Sequence, residues 1–408
     1  MKEKLTERIQ ELSLTIFSNE IKSIFTKNST KTACRIYKES KIGIAGCIGE
    51  TNINELYNKA EQKLEYQIDY PVEPTKNIES HIKIDSCNIT NNEFYSEIEK
   101  ILKELSRLHP DYIVGNDSKV CLEQSEYSME NELGMNLSYS DRNIATALLM
   151  KQKNSSEDDD THFLSTFRKL ESNKMIEACS ELMTAHSKLL TLPKEPLPLI
   201  LEDYWVTQKF NTELKADILG TGSSLFQHQL GKEIFSKNFS LKINTDPMET
   251  HNVNFDMEGV ITPENLSYLI KDGVIIRPYS DKRTSKLYGY ENTGCAQGDF
   301  DSVPTLGRAN LVIQPGEKTI KELLNGQKGI LIYLAAGGGF TPDGNYATPV
   351  QLSYLTDGKK LLGRLPKFVI KSSVYDIFGK DFIGMSKDKS YLRGDHNMLV
   401  TRMDIKPL

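Results

Sequence analysis

Residues 199–260 read LILEDYWVTQKFNTELKADILGTGSSLFQHQLGKEIFSKNFSLKINTDPMETHNVNFDMEGV, and the fold of the chain turns on them. The opening predicts a helix carrying Leu201, Glu202, Asp203, Tyr204, Trp205 and Val206, with Leu201, Leu214 and Ile218 on one apolar face. Trp205 beside Tyr204 reads either as packing on that face or as a pocket for a peptide side chain. Gly220-Thr221-Gly222 lacks the third glycine and the Lys-Ser/Thr of a nucleotide loop, so it reads as a tight turn. His228 and Glu233 lie five apart, and His251 stands near Asp256 and Glu258. None of these has the i, i+4 spacing that sets two metal ligands on one helical face.

Downstream, short apolar runs repeat between turns such as Lys271-Asp272-Gly273 and Thr356-Asp357-Gly358. Strands are predicted over residues 266–270, 274–276, 310–313, 329–333, 352–355 and 368–370, a spacing that suits a closed or sandwiched antiparallel sheet. Gly337-Gly338-Gly339 is followed by Phe340-Thr341-Pro342 and not by a helix start, so it is a turn, or a glycine-rich strand where a peptide backbone can come close.

Upstream, Pro193, Pro196 and Pro198 make a stiff connection that cannot be helix interior, and the domain boundary is placed there. A helix is expected over residues 161–190, preceded by the acidic loop NSSEDDD, in which Asp158, Asp159 and Asp160 lack the interleaving of a calcium loop. Phe94, Ile98, Ile101, Leu102, Leu105 and Leu108 mark a helix stopped at His109-Pro110, and Asn52 with Glu55 opens another. Alternating strands are expected over 112–114, 119–123, 135–139 and 144–150, and a hairpin over 32–46. Leu5, Ile9, Leu12, Ile16, Ile21 and Ile24 have helical spacing, so residues 3–27 are predicted as a first amphipathic helix. The class is α+β: an N-terminal α/β-layer domain with an antiparallel sheet over 1–192, and a β-rich barrel- or sandwich-like domain over 199–408.

A length of 408 residues makes two domains the expectation. The net charge of -6, with no basic block clear of acids, argues against direct nucleic-acid binding. Glu3, Glu7 and Glu11 interrupt what would be the apolar region of a signal peptide, and no run reaches the ~20 apolar residues of a membrane span, so a cytoplasmic location is expected. Six cysteines without a C-x-x-C pair read as buried thiols. His396, after Asp395, is a further lone histidine without a ligand set.

Leu230-Gly231-Lys232-Glu233-Ile234, Asp246-Pro247 and the run FDMEGV over 255–260 resemble the centre of the TldD/PmbA family of metallopeptidases. Ser285-Lys286-Leu287, Asn292-Thr293-Gly294 and the triple glycine extend the resemblance over residues 200–400; the hairpin Asn131 to Tyr139 is a weaker match. Peptidase-type members carry H-E-x-x-x-H upstream of this centre and a cysteine near the C-terminus. The equivalent positions here are Leu201 and Val206, with Glu202 in the place of the carboxylate, and Gly384 in Gly384-Met385-Ser386-Lys387-Asp388. A catalytic zinc needs about three protein ligands, and none of these three residues offers a lone pair from its side chain.

The resemblance therefore implies the PmbA/TldE-like branch: a non-catalytic subunit without a cofactor of its own, paired with a TldD-like chain that carries zinc, or with itself as a homodimer. The substrate class it implies is unfolded peptide, as in antibiotic-precursor trimming and antitoxin degradation, beside the older label of DNA gyrase modulator. Glu202 is the vestigial catalytic candidate. Gly337, Gly338, Gly339, Trp205 and His228 are candidates for peptide binding or subunit contact. The alternatives are a homodimeric peptide-binding scaffold that does not cut, and a hydrolase with a new site that uses Glu202 as base.

Overall fold

The computed structural model describes residues 1–87, 89–115, 117–394 and 396–408. It opens with one long hairpin. β1 (Lys2–Phe17) and β2 (Glu20–Lys38) pair antiparallel along their length, and Ser18 and Asn19 at the turn take φ of 49° and 66°, the left-handed geometry that suits a two-residue hairpin loop. The helix expected over 3–27 is thus replaced by strands. Its apolar residues do recur at helical spacing, but the segment is rich in β-branched residues (Thr6, Ile9, Thr15, Ile16, Ile21, Ile24). With β1 paired on both sides, tertiary pairing overrides the local period.

β3 (Lys41–Ile48) completes the expected hairpin with the end of β2. α1 (Ile53–Gln62) starts where expected, with the Asn52 side chain accepting from the Asn54 N–H at 3.0 Å. β4 (Ile78–Lys83) then joins the sheet. α2 (Asn91–Leu108) is closed at its start by a capping box between Thr90 and Glu93, and buries Phe94, Ile98, Ile101, Leu102 and Leu105. β5 (Tyr112–Val114), β6 (Ser118–Asn131) and β7 (Met135–Gln152) follow: β5 is the expected run 112–114, β6 extends the run 119–123, and β7 joins the runs 135–139 and 144–150 into one strand.

Residues 161–190 are not one helix. β8 (Thr161–Phe167) pairs with β7, and only then does α3 (Ser172–His186) begin. The acids before it therefore lead into a strand: the Asp160 carboxylate accepts from the Gln152 N–H and the Ser155 hydroxyl at 2.7 Å each, and Asp159 lies 3.4 Å from the His162 ring. The eight-stranded sheet runs β3-β2-β1-β6-β7-β4, with β5 and β8 also on β7.

Residues 187–198 lead into the second half, whose main sheet has nine strands. β9 (Leu199–Leu201) lies inside it, parallel to Gly329–Ala335 and antiparallel to His396–Thr401. Beyond them lie Phe382–Ser390 on one side and Asn345–Thr356, Phe368–Ser373 and Asp404–Pro407 on the other. A four-stranded sheet adds Leu241–Asn244, Leu266–Lys271, Val274–Ile275 and Leu311–Ile313. Both sheets are open, so the barrel alternative is replaced by stacked layers. All six strands predicted in this half are present; β9, Leu241–Asn244 and the last three strands carry too little local pattern to have been expected.

Two apolar clusters sandwich the nine-stranded sheet. One face, with Leu199, Leu201, Ile330, Ile332 and Leu399, packs on Val206, Phe210, Phe226, Phe239 and Phe378. The other face, with Ile200, Leu331, Tyr333, Met398 and Val400, packs on Leu14, Ile16, Ile98, Leu102 and Leu182 of the N-terminal half. The two halves share this second core across the proline-rich connection.

Candidate functional site

Leu201, Val206 and Gly384, the positions expected to match the family's ligands, lie on β9, on the helix that follows it and on Phe382–Ser390, which His396–Thr401 separates from β9. Alternation along a strand sends successive side chains to opposite faces, so Leu201 enters the first cluster while Ile200 enters the second. The chain turns at Asp203, whose buried carboxylate accepts from the Ile313 N–H at 3.1 Å and is pushed up to about 6 by burial. α4 (Tyr204–Glu213) starts there. The stretch expected as one helix is therefore strand, turn and helix, and Leu201 and Val206 do not stand on a shared helical face.

Leu201 and Val206 are both fully buried in the first apolar cluster, with Phe210, Met385 and Leu399. Met385 is in register with Leu201 across Leu399, which brings the Gly384 segment close. Gly384 itself faces away: a Cβ there would lie 2.9 Å from Leu323, a residue packed on the second cluster. Two side chains without lone pairs and a glycine aimed at another layer do not fit a zinc ion. Among the described residues, no group of three or more His, Cys, Asp or Glu side chains is placed to hold a metal.

Glu202 is half of a largely buried ion pair. Its Oε1 lies 2.5 Å from Nη2 of Arg393, and the two side chains are 14% and 7% exposed, so water does little to screen them. The guanidinium lies over the Tyr333 ring, 4.3 Å from its centroid, and 6.0 Å from the ring centroid of Trp205. Tyr333 in turn donates to the carbonyl of His162 at 2.5 Å. Arg393 was invisible to the sequence reading, 191 positions from Glu202 and in no motif. A carboxylate so paired is held in place and is not free to activate water.

Trp205 is partly buried against the first cluster, with its ring edge-on to Tyr204 at 5.8 Å. His228 is exposed in the loop after the short helix Ala216–Gly220. Gly337, Gly338 and Gly339 are exposed and lead into Gly339–Phe340, which pairs with the start of Asn345–Thr356. Gly338 is required by packing, since a Cβ there would lie 2.2 Å from the Ala347 carbonyl oxygen, and Gly337 takes φ of +83°. His251 sits between the halves, its Nδ1 2.8 Å from Asn143 Oδ1, with its pKa pushed down to about 4 by burial and by Arg168. His396 lies at the start of its strand, and its neighbour Asp395 falls outside the described residues.

The FDMEGV run forms a second buried polar centre. Asp256 accepts from the N–H groups of Glu258, Val260 and Ala296 at 2.9 Å each, and burial pushes its pKa up to about 6. Glu258 accepts from the Tyr70 hydroxyl and, at 2.9 Å, from the Lys282 N–H; burial first, and then Asp256, push it up to about 7. Lys282 Nζ donates to Thr75 Oγ1, the Glu73 carbonyl and the Glu258 carbonyl at 2.6, 3.0 and 3.3 Å. From β2, fully buried Arg35 reaches the Met257 carbonyl at 2.6 Å and Glu3 at 3.1 Å. These acids accept from backbone and from fixed side chains of the first half, so the run joins the halves and presents no free base.

One cavity lies on the Ile200 face of the sheet. It measures about 420 Å³ and is walled by Ala178 and Glu181 of α3, by Leu331 and Met398 of the sheet, and by Leu361 and Tyr391.

Residues 198–405 match the model of the PmbA/TldA metallopeptidase C-terminal domain, half of the chain. The chain belongs to the PmbA/TldD family. A metalloprotease of Methanothermobacter thermautotrophicus is 25% identical over 154 residues, and the match spans about a third of that relative's length (34%) and 34% of this chain. TldE of Thermococcus kodakarensis superposes with a TM-score of 0.82 at 17% identity, over all of this chain and 96% of that one. A candidate DNA gyrase modulator of Thermotoga maritima gives 0.80 at 14% identity, covering 99% and 95%. At such identities the likeness is one of fold, and it runs through both halves of this PmbA/TldD protein.

Proposed function

We propose that this chain is the non-catalytic, TldE-like subunit of a TldD/TldE-type metallopeptidase acting on unstructured peptides, with the zinc on a TldD-type partner in the cytoplasm. The observation that carries the reading is the state of the three ligand positions: Leu201 and Val206 are sealed in apolar core and Gly384 has no side chain. The exposed turn at Gly337–Gly339 supports a role in gripping extended peptide, since backbone can approach it closely. A hydrolase based on Glu202 is disfavoured by the pair with Arg393.

The experiment is to purify the chain alone and together with an H-E-x-x-x-H homologue from the same genome, and to measure zinc by elemental analysis and cleavage of an unfolded peptide. The expected result is substoichiometric zinc and no cleavage alone, with a mixed complex more active than the partner by itself. One tightly held zinc per chain, or partner activity unaltered by this chain and no mixed species, would overturn it. A homodimeric scaffold that holds peptides without cutting them is the second reading, favoured by the outer edge of β2, which among the described residues pairs with β3 only from Lys31 to Lys38.

A further inference from the structure

We propose that the cavity between α3 and the nine-stranded sheet is a binding site for a small ligand with an apolar body and a carboxylate end. The inference is independent of the subunit reading above. The cavity measures about 420 Å³, within the range of about 300–1,000 Å³ usual for small-molecule sites. α3 walls it from the first half, and Ile200, Leu331 and Met398 of the sheet close its base. Seams between domains are frequent places for ligands.

The base decides what suits it. Ile200, Leu331 and Met398 belong to the second apolar cluster, and half-buried Leu361 and Leu392 pack on that cluster beside them. None of these side chains donates a hydrogen bond, whereas a water held in a cavity needs about two to four polar partners. An apolar group is the better occupant. Each methylene it takes out of water should strengthen binding about fourfold.

The mouth is polar, and its charges are unevenly committed. Residues 356–360 form a turn that brings Lys359 and Lys360 to the cavity. Thr356 Oγ1 accepts from the Gly358 N–H at 3.0 Å and donates to the Lys360 carbonyl at 2.8 Å, and Asp357 Oδ1 accepts from the N–H groups of Lys359 and Lys360 at 2.9 Å each. The turn is thus fixed by its own hydrogen bonds, while among the described residues neither lysine ammonium has an ion pair. The acids of the wall are placed otherwise. Glu181 accepts from the Leu361 N–H and Asp388 from the Ile320 N–H at 2.7 Å each, so both are spent in part on backbone. Of the other charged groups on the wall, Lys174 is paired with Glu171 at 2.8 Å, and Glu177 and Lys389 are exposed.

Uncommitted ammonium groups above an apolar base fit a chain that ends in an anion. With acids also on the wall, a singly charged carboxylate meets less repulsion than a phosphate dianion. Two sources share this chemistry: a medium-chain fatty acid, and a short peptide with an apolar C-terminal residue.

The test is titration calorimetry of the full chain with hexanoate, octanoate and decanoate below their micelle concentrations, with octylamine, and with leucyl-leucine as free acid and as amide. Saturable binding at one site is expected, tightening about fourfold per added methylene, with octylamine and the dipeptide amide at least tenfold weaker than the corresponding acids. The Met398 methyl resonance should shift on binding. Lys359→Gln with Lys360→Gln, both exposed, should weaken octanoate about fivefold without weakening octylamine, and Ala178→Leu, which fills the α3 wall, should weaken both. Whichever of octanoate and leucyl-leucine binds tighter identifies the source, and either order upholds the site. No saturable binding, equal affinity for octanoate and octylamine, or a lysine variant that binds octanoate as tightly as the wild type would each overturn the proposal. The subunit reading is untouched by these results, because it is read from zinc and peptidase activity.

Discussion

Two carboxylates within residues 199–260, Glu202 and Glu258, are both buried, yet their surroundings differ in kind. Glu202 meets a full positive charge on Arg393, stacked over Tyr333. Glu258 meets a tyrosine hydroxyl and a backbone N–H, with the negative charge of Asp256 beside it. The first is paired with a cation, whereas the second is pushed towards its neutral form. The contrast teaches that the polar residues kept in this family segment hold layers together here: one carboxylate ties the second sheet's layer to an arginine, and the other ties the FDMEGV run to the N-terminal half.

The largest expected effect comes from breaking the charged pair. Arg393→Met leaves Glu202 buried without a partner and should cost about 3–5 kcal/mol in urea unfolding, whereas Glu202→Leu with Arg393→Met should recover most of that loss. A single substitution no worse than the double would show that water reaches Glu202. Leu201→His with Val206→His would attempt to restore the family ligands; each change inserts a polar ring into fully buried apolar packing. We expect a loss of about 2 kcal/mol or more without stoichiometric zinc by elemental analysis, since Gly384 faces another layer.

The Glu258 side of the contrast is read by pH. Its pKa in the fold, about 7, is above the ordinary 4.5, so the folded state keeps a proton that the unfolded chain has lost. This group therefore contributes full stability below pH 4.5, loses it as pH rises towards 7, and changes no further beyond. Glu258→Gln mimics the protonated form, so its stability relative to the wild type should rise between pH 5 and pH 8, by on the order of 2 kcal/mol. His251, pushed down to about 4, acts oppositely, favouring the fold more as pH rises from 4 to 6.5, and is unaffected by the substitution. A flat difference between the Gln variant and the wild type would remove the distinction between the two carboxylates. The smallest expected effect is catalytic: Glu202→Gln in a complex reconstituted with a TldD-type chain should change the rate by less than about threefold, against the hundredfold or more that removal of a general base produces.

Much of the secondary structure was legible where local chemistry is decisive. The apolar stripe from Phe94 to Leu108 with its stop at His109-Pro110 gave α2, and glycine-bearing turns with apolar runs between them gave six strands of the second half. The first hairpin was not legible, because Leu5, Ile9, Leu12 and Ile16 satisfy a helical period while β1 is held by β2 on one side and, on the other, by β6 more than 100 residues away. The same holds for Thr161–Phe167, which becomes a strand because β7 supplies its pairing.

By itself the sequence determined that the chain holds no H-E-x-x-x-H run, because the capacity to donate a lone pair belongs to the side chain and needs no fold to be judged. It also determined the α+β class, through capping residues, turns and periodicity that act over a few positions. Only the tertiary structure decided that Leu201 and Ile200 point to opposite faces of a sheet, that Arg393 occupies the space beside Glu202, and that Arg35, paired with Glu3, reaches the FDMEGV run. Burial and pairing between residues far apart in the chain are set by how sheets stack, and no local pattern encodes them.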